Sequence, residues 1–288
     1  MEYILKEEIL KGWSGDRKYL VETQDGKLHL LRVSPAKEYE RKLLEFKFAQ
    51  ELASMEISMC LPEEIRLDGD EVRSLWSWID GKDAECMIPS LDPSKAREYG
   101  AIGGKILKKI HSLPAPPNAE AWAPRFNRKI DNKLQKYSEC PLKYENGELF
   151  ISFIEKNRHL LNNRPQSYHH GDFHIGNMMI DSRGNLTVID FNRYDWGDPW
   201  EEFNRIVWSA QASPSFAQGL VDGYFDNSPP EEFWRLLALY ISSNTLSSLY
   251  WAVPFGETEI QTMRNQAKDI LEWYSNMESI IPKWYLTR

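Results

Sequence analysis

Hydrophobic residues in the first eighty positions are grouped in short runs that are typical of β-strands. The runs 19–21 and 28–33 flank an Asp-Gly turn at 24–27, which predicts a β-hairpin. A helix is expected over about 36–53, opened by Ser34-Pro35. The run 74–79 predicts a further strand that stops at Asp80-Gly81. The pattern therefore predicts a small β-rich domain over 1–79.

The pattern beyond residue 80 is mainly helical. Asp92-Pro93 opens a helix with apolar positions at Tyr99, Ile102, Ile106 and Ile110. After Trp196, prolines divide the chain into successive helices. The sequence therefore predicts an α+β protein in which the larger domain, 80–288, is mostly helical.

Composition and charge narrow the class of protein. The 288 residues contain three cysteines, in no disulfide or zinc spacing, and no export signal, which favours the reducing cytoplasm. No stretch is apolar enough to predict a membrane span. Residues 190–288 hold 14 acidic against 7 basic residues, so non-specific nucleic-acid binding is not expected and a cationic partner is favoured. An ordinary acidic surface explains this excess equally well.

Chemistry is concentrated in the segment 170–190. Two short apolar runs flank the polar turn 182–185, which predicts a second hairpin. If Asp181 pairs with Leu186, Asn177 faces Asp190 across the hairpin, and their oxygens suit Mg²⁺. Asp172 precedes this pair on a loop and is available for proton transfer. One carboxylate for a proton and a separate pair for a metal ion is the arrangement that phosphoryl transfer requires.

This segment resembles the catalytic core of the protein-kinase-like fold. The motif at 170–177 reads His-Gly-Asp-x-His-x-Gly-Asn, and Gly197-Asp198-Pro199 follows Asp190. Both motifs are similar to those of the aminoglycoside phosphotransferase and choline kinase superfamily. No Ala-Pro-Glu string follows Asp190, so the resemblance is to small-molecule kinases rather than to protein kinases. It implies a two-lobed fold, with a β-rich N-lobe and a larger, mainly helical C-lobe.

The resemblance also implies roles for single residues. Asp172 corresponds to the base that accepts the proton of the acceptor hydroxyl, and Asn177 and Asp190 correspond to the Mg²⁺ ligands. Both ATP and GTP fit these motifs, and ATP is the expected phosphoryl donor.

The N-terminal part carries the expected nucleotide contacts. Arg32 corresponds to the cation on the nucleotide phosphates, and Glu45, at the edge of the buried face of the following helix, is its expected partner. Ser14, in the turn Gly12-Trp13-Ser14-Gly15, resembles the residue of the nucleotide-positioning loop. Backbone groups of Ser77 and Ile79 are expected to meet the adenine. Trp76 and Trp78 are also explained by core packing alone.

Two other classes of function are open at this point. His170, Asp172 and His174 alternate, as in short zinc-binding clusters, so a zinc hydrolase is one alternative. A non-catalytic nucleotide-binding module is the other, although Asp172, Asn177 and Asp190 are all present.

Within the kinase interpretation, the acceptor is the least determined part. An aminoglycoside-type antibiotic is favoured, with Asp195, Glu201 and Glu202 as expected acceptor-binding acids, and antibiotic resistance would follow. Choline, homoserine, methylthioribose and macrolides are alternatives, because their kinases share the same core motifs. The oligomeric state is not indicated by the sequence.

Overall fold

The fold is given by a computed structural model, which describes residues 2–10 and 15–286. The chain packs into two compact units. The first contains the described residues up to Met87 together with Asn177–Tyr194, and the second contains Ile88–Gly176 and the residues from Asp195 onwards. This division differs from the expected boundary after Ile79, because 80–87 and 177–194 pack with the first unit. The assignment of nucleotide binding to 1–79 and catalysis to 80–288 stays a prediction.

The first unit is built on a five-stranded antiparallel sheet with strand order β1-β2-β3-β5-β4. Its strands are β1 (Tyr3–Glu8), β2 (Arg17–Thr23), β3 (Leu28–Pro35), β4 (Pro62–Asp68) and β5 (Glu71–Ser77). The predicted Asp-Gly hairpin joins β2 to β3, and Gly26 takes the positive φ of 80° that the turn requires. One face of the sheet buries Val21, Leu31, Val33 and Leu75.

The other face of this sheet packs against the predicted helix, α1 (Tyr39–Ser54). Arg32 and Trp76 point to this face, since side chains alternate along a strand. Trp76 is buried and meets Phe46 of α1 edge-on, with ring centroids 5.4 Å apart. Core packing therefore accounts for Trp76.

A second, three-stranded antiparallel sheet completes the first unit. Its order is β6-β8-β9, with β6 (Gly81–Asp83), β8 (Met178–Asp181) and β9 (Leu186–Val188). The short helix α2 (Ala84–Met87) follows β6. This sheet contains the predicted second hairpin.

The second unit is mostly helical. Its helices are α3 (Pro93–Ile110), α4 (Trp122–Glu139), α5 (Gly147–Asn157), α6 (Ile206–Ala212), α7 (Pro214–Phe225), α8 (Glu231–Ala252), α9 (Glu257–Trp273) and α10 (Lys283–Leu286). A small antiparallel sheet pairs β7 (Ser167–His169) with β10 (Asp195–Gly197). Within residues 2–10 and 15–286, no helix combines the length and apolar character needed to cross a membrane. The expected α+β fold class is confirmed.

Glycines bring α3 and α7 into direct backbone contact. The predicted cap of α3 is present, because Asp92 accepts a hydrogen bond from the amide of Ser94. A Cβ on Gly100 would lie 2.1 Å from the carbonyl oxygen of Phe216, and one on Gly223 would lie 2.1 Å from that of Ala101. The buried face of α3 is therefore partly glycine. Ile102, expected in the core, is 37% exposed.

Candidate active site

The loop that carries Asp172 is fixed by a buried carboxylate. Glu202 accepts hydrogen bonds from the backbone amides of His170, at 2.9 Å, and Gly171, at 2.5 Å. Gly171 has a φ of 88°, which a glycine adopts without strain. His111 also contacts Glu202, with Nε2 3.1 Å from Oε2. Burial lowers the pKa of His111 to about 3, so this imidazole is neutral and donates to Glu202.

The carboxylate of Asp172 lies beside basic side chains of the second unit. Its Oδ1 is 3.2 Å from Nε of Arg205 and 3.8 Å from Nε2 of His174. The amide of Gly176 donates to Nδ1 of His174, which leaves Nε2 to carry the ring hydrogen on the side of Asp172. The amide of Asp172 itself donates to Nδ1 of His170. Asp172 is therefore held from both its backbone and its side chain.

The hairpin 178–188 forms, but its register differs from the predicted one. Ile180 pairs with Leu186 and Met178 with Val188, so each partner lies one residue earlier than expected. The Asp181 carboxylate accepts hydrogen bonds from the amides of Arg183 and Asn185 and so closes a three-residue loop, in which Gly184 has a φ of 84°. This local closure, rather than the strand pattern, sets the register.

Because of this register, the partner of Asn177 is Ile189 and not Asp190. The amide of Ile189 donates to the carbonyl oxygen of Asn177 at 3.0 Å. Asp190 follows in a left-handed conformation, with φ 67° and ψ 63°. Such a conformation is uncommon for a non-glycine residue and is frequent at functional sites. Asn177 and Asp190 therefore both lie at the open end of one hairpin, although they are not directly opposed.

The predicted ion pair between Arg32 and Glu45 is present. Nη1 of Arg32 lies 2.8 Å from Oε1 of Glu45, and both side chains are buried. Two further charges, which sequence reasoning missed, join the pair. Asp16 accepts hydrogen bonds from Arg32 at 2.7 Å and from Lys42 at 2.5 Å, and Lys42 also lies 3.5 Å from Glu45.

The four side chains form a balanced network, which we name the Asp16 cluster: Asp16, Arg32, Lys42 and Glu45. Burial opposes the ionisation of Asp16, but Arg32 and Lys42 lower its pKa to about 2. Burial likewise opposes the charge of Arg32, but Glu45 and Asp16 raise its pKa above the ordinary value. Asp16 and Arg32 are therefore both charged at neutral pH. The role of Arg32 and Glu45 toward a nucleotide stays a prediction.

A further cation lies on the same face of the sheet. Lys18 of β2 pairs directly with Arg32 of β3. Burial lowers the pKa of Lys18, whereas the negative charge of Asp190 raises it. Lys18 is therefore within electrostatic range of the predicted metal ligand, and the alternation around 17–23 was the sequence signal that could have identified it.

Three further residues, Ser14, Ser77 and Ile79, were expected to contact the nucleotide. Ser14 lies outside the described residues. The amide of Ser77 donates to the carbonyl oxygen of Leu61, and its own carbonyl oxygen accepts from the thiol of Cys60. The amide of Ser77 is thus already used within the first unit. Ile79 is partly exposed, and its contact with adenine stays a prediction.

The three expected acceptor-binding acids all have partners within the second unit. Arg125 donates to both carboxylate oxygens of Asp195, at 2.8 and 2.6 Å. Glu201 lies 3.5 Å from Nζ of Lys129. Glu202 is only 3% exposed and is used by the loop before Asp172. The excess of acidic residues in the C-terminal segment therefore does not form an open acidic surface at these three positions. A role of these acids in acceptor binding stays a prediction.

Sequence reasoning missed a row of cations on α4. Arg125, Lys129 and Lys133 follow one another at intervals of four residues, so they lie along one face of the helix. The pairs of Arg125 with Asp195 and of Lys129 with Glu201 show that this face is directed to the acids. The four-residue spacing itself was the available signal.

The residues proposed for a zinc site are not gathered into one. Over the described ranges, no three His, Cys, Asp or Glu side chains form a group that could hold a metal ion. His170 is fully buried, and its Nδ1 accepts from the amide of Asp172. The alternation of His170, Asp172 and His174 is explained by the hydrogen bonds of the loop.

Comparison with known proteins identifies related folds. The family model described as "Phosphotransferase enzyme family" (APH) matches residues 7–237. No curated protein matches the sequence.

Three solved structures cover almost the whole chain. Aminoglycoside phosphotransferase APH(4)-Ia, as a thermostable mutant with ADP and hygromycin B, is 15% identical, with a TM-score of 0.67 over 93% of this chain and 94% of that one. Amicoumacin kinase hAmiN with AMP-PNP, Ca²⁺ and Ami is 13% identical, with a TM-score of 0.64 over 96% and 90%. A choline/ethanolamine kinase family protein from Mesorhizobium loti is 17% identical, with a TM-score of 0.65 over 96% and 91%.

Proposed function

Because the chain belongs to the phosphotransferase enzyme family and is a small-molecule kinase, we propose that it transfers the γ-phosphoryl group of ATP to a hydroxyl group of a small acceptor with the help of Mg²⁺. In this transfer the acceptor oxygen forms a bond to the γ-phosphorus, the bond from that phosphorus to the bridging oxygen of ADP breaks, and the hydroxyl proton leaves. The residues of this chain then have to supply a proton acceptor, phosphate contacts and ligands for the metal ion.

Asp172 is the proposed proton acceptor, and its placement is the observation that carries the proposal. The loop around it is anchored by Glu202, and Arg205 lies against its carboxylate at 3.2 Å. A carboxylate held in this way can accept the hydroxyl proton and orient the attacking oxygen. His174 adds a second basic side chain on the same oxygen.

Asn177 and Asp190 are the proposed Mg²⁺ ligands. An amide oxygen and a carboxylate are the hard oxygen donors that this ion prefers, and the left-handed backbone of Asp190 is typical of a residue held for a function. Mg²⁺, when bound, would neutralise negative charge on the transferring phosphoryl group. Lys18 and Arg32 add positive charge near Asp190 from the side of the protein.

The finer assignments rest on the sequence and on the relatives. Two of the related structures hold ADP or AMP-PNP, which supports ATP as the donor, and two hold hygromycin B or Ami. An aminoglycoside-type acceptor, a cytoplasmic location and a role in antibiotic resistance are what the resemblance alone would suggest, and the charge class of the acceptor is a separate inference from the structure. Choline, homoserine, methylthioribose and macrolides belong to the same acceptor panel.

The test is ADP release by the purified protein with ATP, Mg²⁺ and that acceptor panel. We expect at least one acceptor to stimulate ADP release and EDTA to abolish it. Asp172→Asn should lower kcat by about 10²- to 10⁴-fold, because a general base contributes on that order. Asp226→Asn is the matched control in the same unit, since Asp226 is exposed and pairs only with Lys108 among the described residues.

Each outcome distinguishes the proposal from its alternatives. ATP binding without phosphoryl transfer to any acceptor would favour the non-catalytic module. Equal kcat values for Asp172→Asn and the wild type would remove Asp172 from the reaction.

A further inference from the structure

Arg205 and two lysines of the α4 row, Lys129 and Lys133, belong to the same electrostatic group as Asp172 and Glu201. Arg205 lies 3.2 Å from Asp172, and Lys129 lies 3.5 Å from Glu201. Lys133, the next member of the row on α4, makes no hydrogen bond or ion pair with any residue in the described ranges. Of these three basic side chains, Lys133 is thus the one without an acidic partner in the described ranges.

Lys133 belongs electrostatically to this group. Burial and the charges of Lys129 and Arg205 together lower its pKa to about 7, against the opposing effect of Glu201. Burial raises the pKa of Glu201, but the nearby basic side chains lower it by more, so the net shift is downward. These side chains are Lys129, His169, Lys133 and Arg205. One carboxylate is thus shared among several basic side chains, and Lys133 lacks an acid of its own.

A cationic acceptor would meet like charge here. The acids that suggested such an acceptor are already paired, Asp195 with Arg125 and Glu201 with Lys129. Glu202 is buried behind the loop. Like charges placed together in a site disfavour binding, whereas an added anion would give Lys133 the acidic partner that it lacks and could also contact Arg205.

We propose that the acceptor carries an anionic group, a carboxylate or a phosphate, which binds Lys133 and Arg205 and so presents the acceptor hydroxyl to Asp172. This inference rests on the proposed phosphotransferase function and names the charge class of its acceptor. In this arrangement Arg205 contacts both the anionic group of the acceptor and the carboxylate of Asp172. Lys133 determines the preference for a charged acceptor.

The test compares matched acceptors that differ in one charged group. The pairs are glycerate with glycerol, gluconate with sorbitol, and glucose 6-phosphate with glucose, and choline and kanamycin are the cationic members. Binding is measured by titration calorimetry in the presence of ADP and Mg²⁺, and phosphorylation is measured as ADP release from ATP. We expect at least one anionic compound to bind about tenfold or more tightly than its uncharged partner, because a hydrogen bond between charged groups contributes on that order. The carboxylate and phosphate pairs distinguish the two sources of the anion.

Variants assign this preference to Lys133. Lys133→Gln should remove the tenfold preference by raising KM for the anionic acceptor, while KM for ATP stays within about twofold of wild type. Lys133→Arg should retain the preference, because the charge is kept. Lys136→Gln is the control on the same helix, since Lys136 lies over the ring of Tyr250. A merely structural role of Lys133 would instead change KM for both substrates or neither.

Several results would overturn the inference. The first is equal binding of the charged and uncharged members of all three pairs. The second is an unchanged preference for the anionic acceptor in Lys133→Gln. The third is a higher kcat/KM for a neutral or cationic acceptor than for every anionic one. In the last case the kinase proposal stands and only the charge class fails. If Arg205→Gln lowers kcat with every acceptor while Lys133→Gln has no effect, Arg205 acts on the transferred phosphoryl group and the inference is also wrong. Selective anion binding without ADP release in the wild type would instead contradict the proposed function and retain the anion site.

Discussion

Asp16→Asn is expected to destabilise the first unit strongly, because Asp16 balances two buried cations. One of its carboxylate oxygens accepts hydrogen bonds from Arg32 and Lys42, and the other accepts from Ser34 at 2.7 Å. Asparagine keeps one acceptor oxygen, so the bond from Ser34 can persist. The amide cannot neutralise either cation, and Glu45 alone would then face both.

The expected loss follows from the general cost of breaking a buried ion pair from one side, which is about 3–5 kcal/mol. We expect the lower end, about 3 kcal/mol, since the asparagine retains a hydrogen bond. For a chain of this length, that loss corresponds to a fall in Tm of about 6 °C. Thermal and urea unfolding, followed by circular dichroism, measure the two quantities.

A second substitution tests whether charge balance is the cause. Lys42→Met in the Asp16→Asn background removes the cation that lost its partner and leaves Arg32 paired with Glu45 alone. The double variant should therefore be more stable than Asp16→Asn by about 1–3 kcal/mol, a strong departure from additivity. Asp25→Asn is the control, because Asp25 is exposed, and its loss should be within about 0.5 kcal/mol. Additive losses in the double variant, or a loss below about 1 kcal/mol for Asp16→Asn, would refute the balanced network.

Two further predictions concern the hairpin and the buried histidine. Asp190→Asn should reduce kcat by more than about tenfold at saturating Mg²⁺ without lowering Tm, because asparagine tolerates the left-handed backbone while its amide is a poorer ligand than a carboxylate. Asp190→Ala should reduce kcat at least as much. Turnover within about tenfold of wild type in either variant would remove Asp190 from the metal site. Burial lowers the pKa of His111 to about 3, so below pH 6.5 the unfolded chain binds a proton that the folded chain does not, and stability is lost as the pH falls. The loss approaches about 1.4 kcal/mol per pH unit well below pH 6.5, and urea unfolding of wild type and His111→Gln at pH 6 and pH 5 should show a smaller loss in the variant.

Local signals made part of this molecule predictable. The Asp-Gly turn at 24–27 and the Asp92-Pro93 helix start depend on neighbouring residues only, so the chain pattern is sufficient. The pairing of Arg32 with Glu45 was predicted from the buried edge of a helix together with the family resemblance. The fold class follows from the change from strand-like to helical pattern near residue 80.

What was missed depends on residues far apart in the chain. Asp16 and Lys42 meet although 26 positions separate them, and in the sequence Lys42 resembles an ordinary surface lysine of a helix. The hairpin register was wrong by one residue, because the side chain of Asp181 closes the turn one position earlier. Counting acids after Asp190 likewise ignored Arg125 and Lys129, which come from an earlier helix and neutralise them.

The glycine contact between α3 and α7 limits how the two helices can change in evolution. Successive residues of an α-helix are rotated by about 100°, so inserting or deleting one residue in α3 would turn Gly100 away and bring a side chain against the backbone of α7. The same holds in reverse for Gly219, whose Cβ would lie 2.1 Å from the carbonyl oxygen of Arg97. Length changes in α3 and α7 are therefore expected in the connecting loops and not within the helices. This pair of helices should remain the most constant in length among homologous chains that retain the crossing.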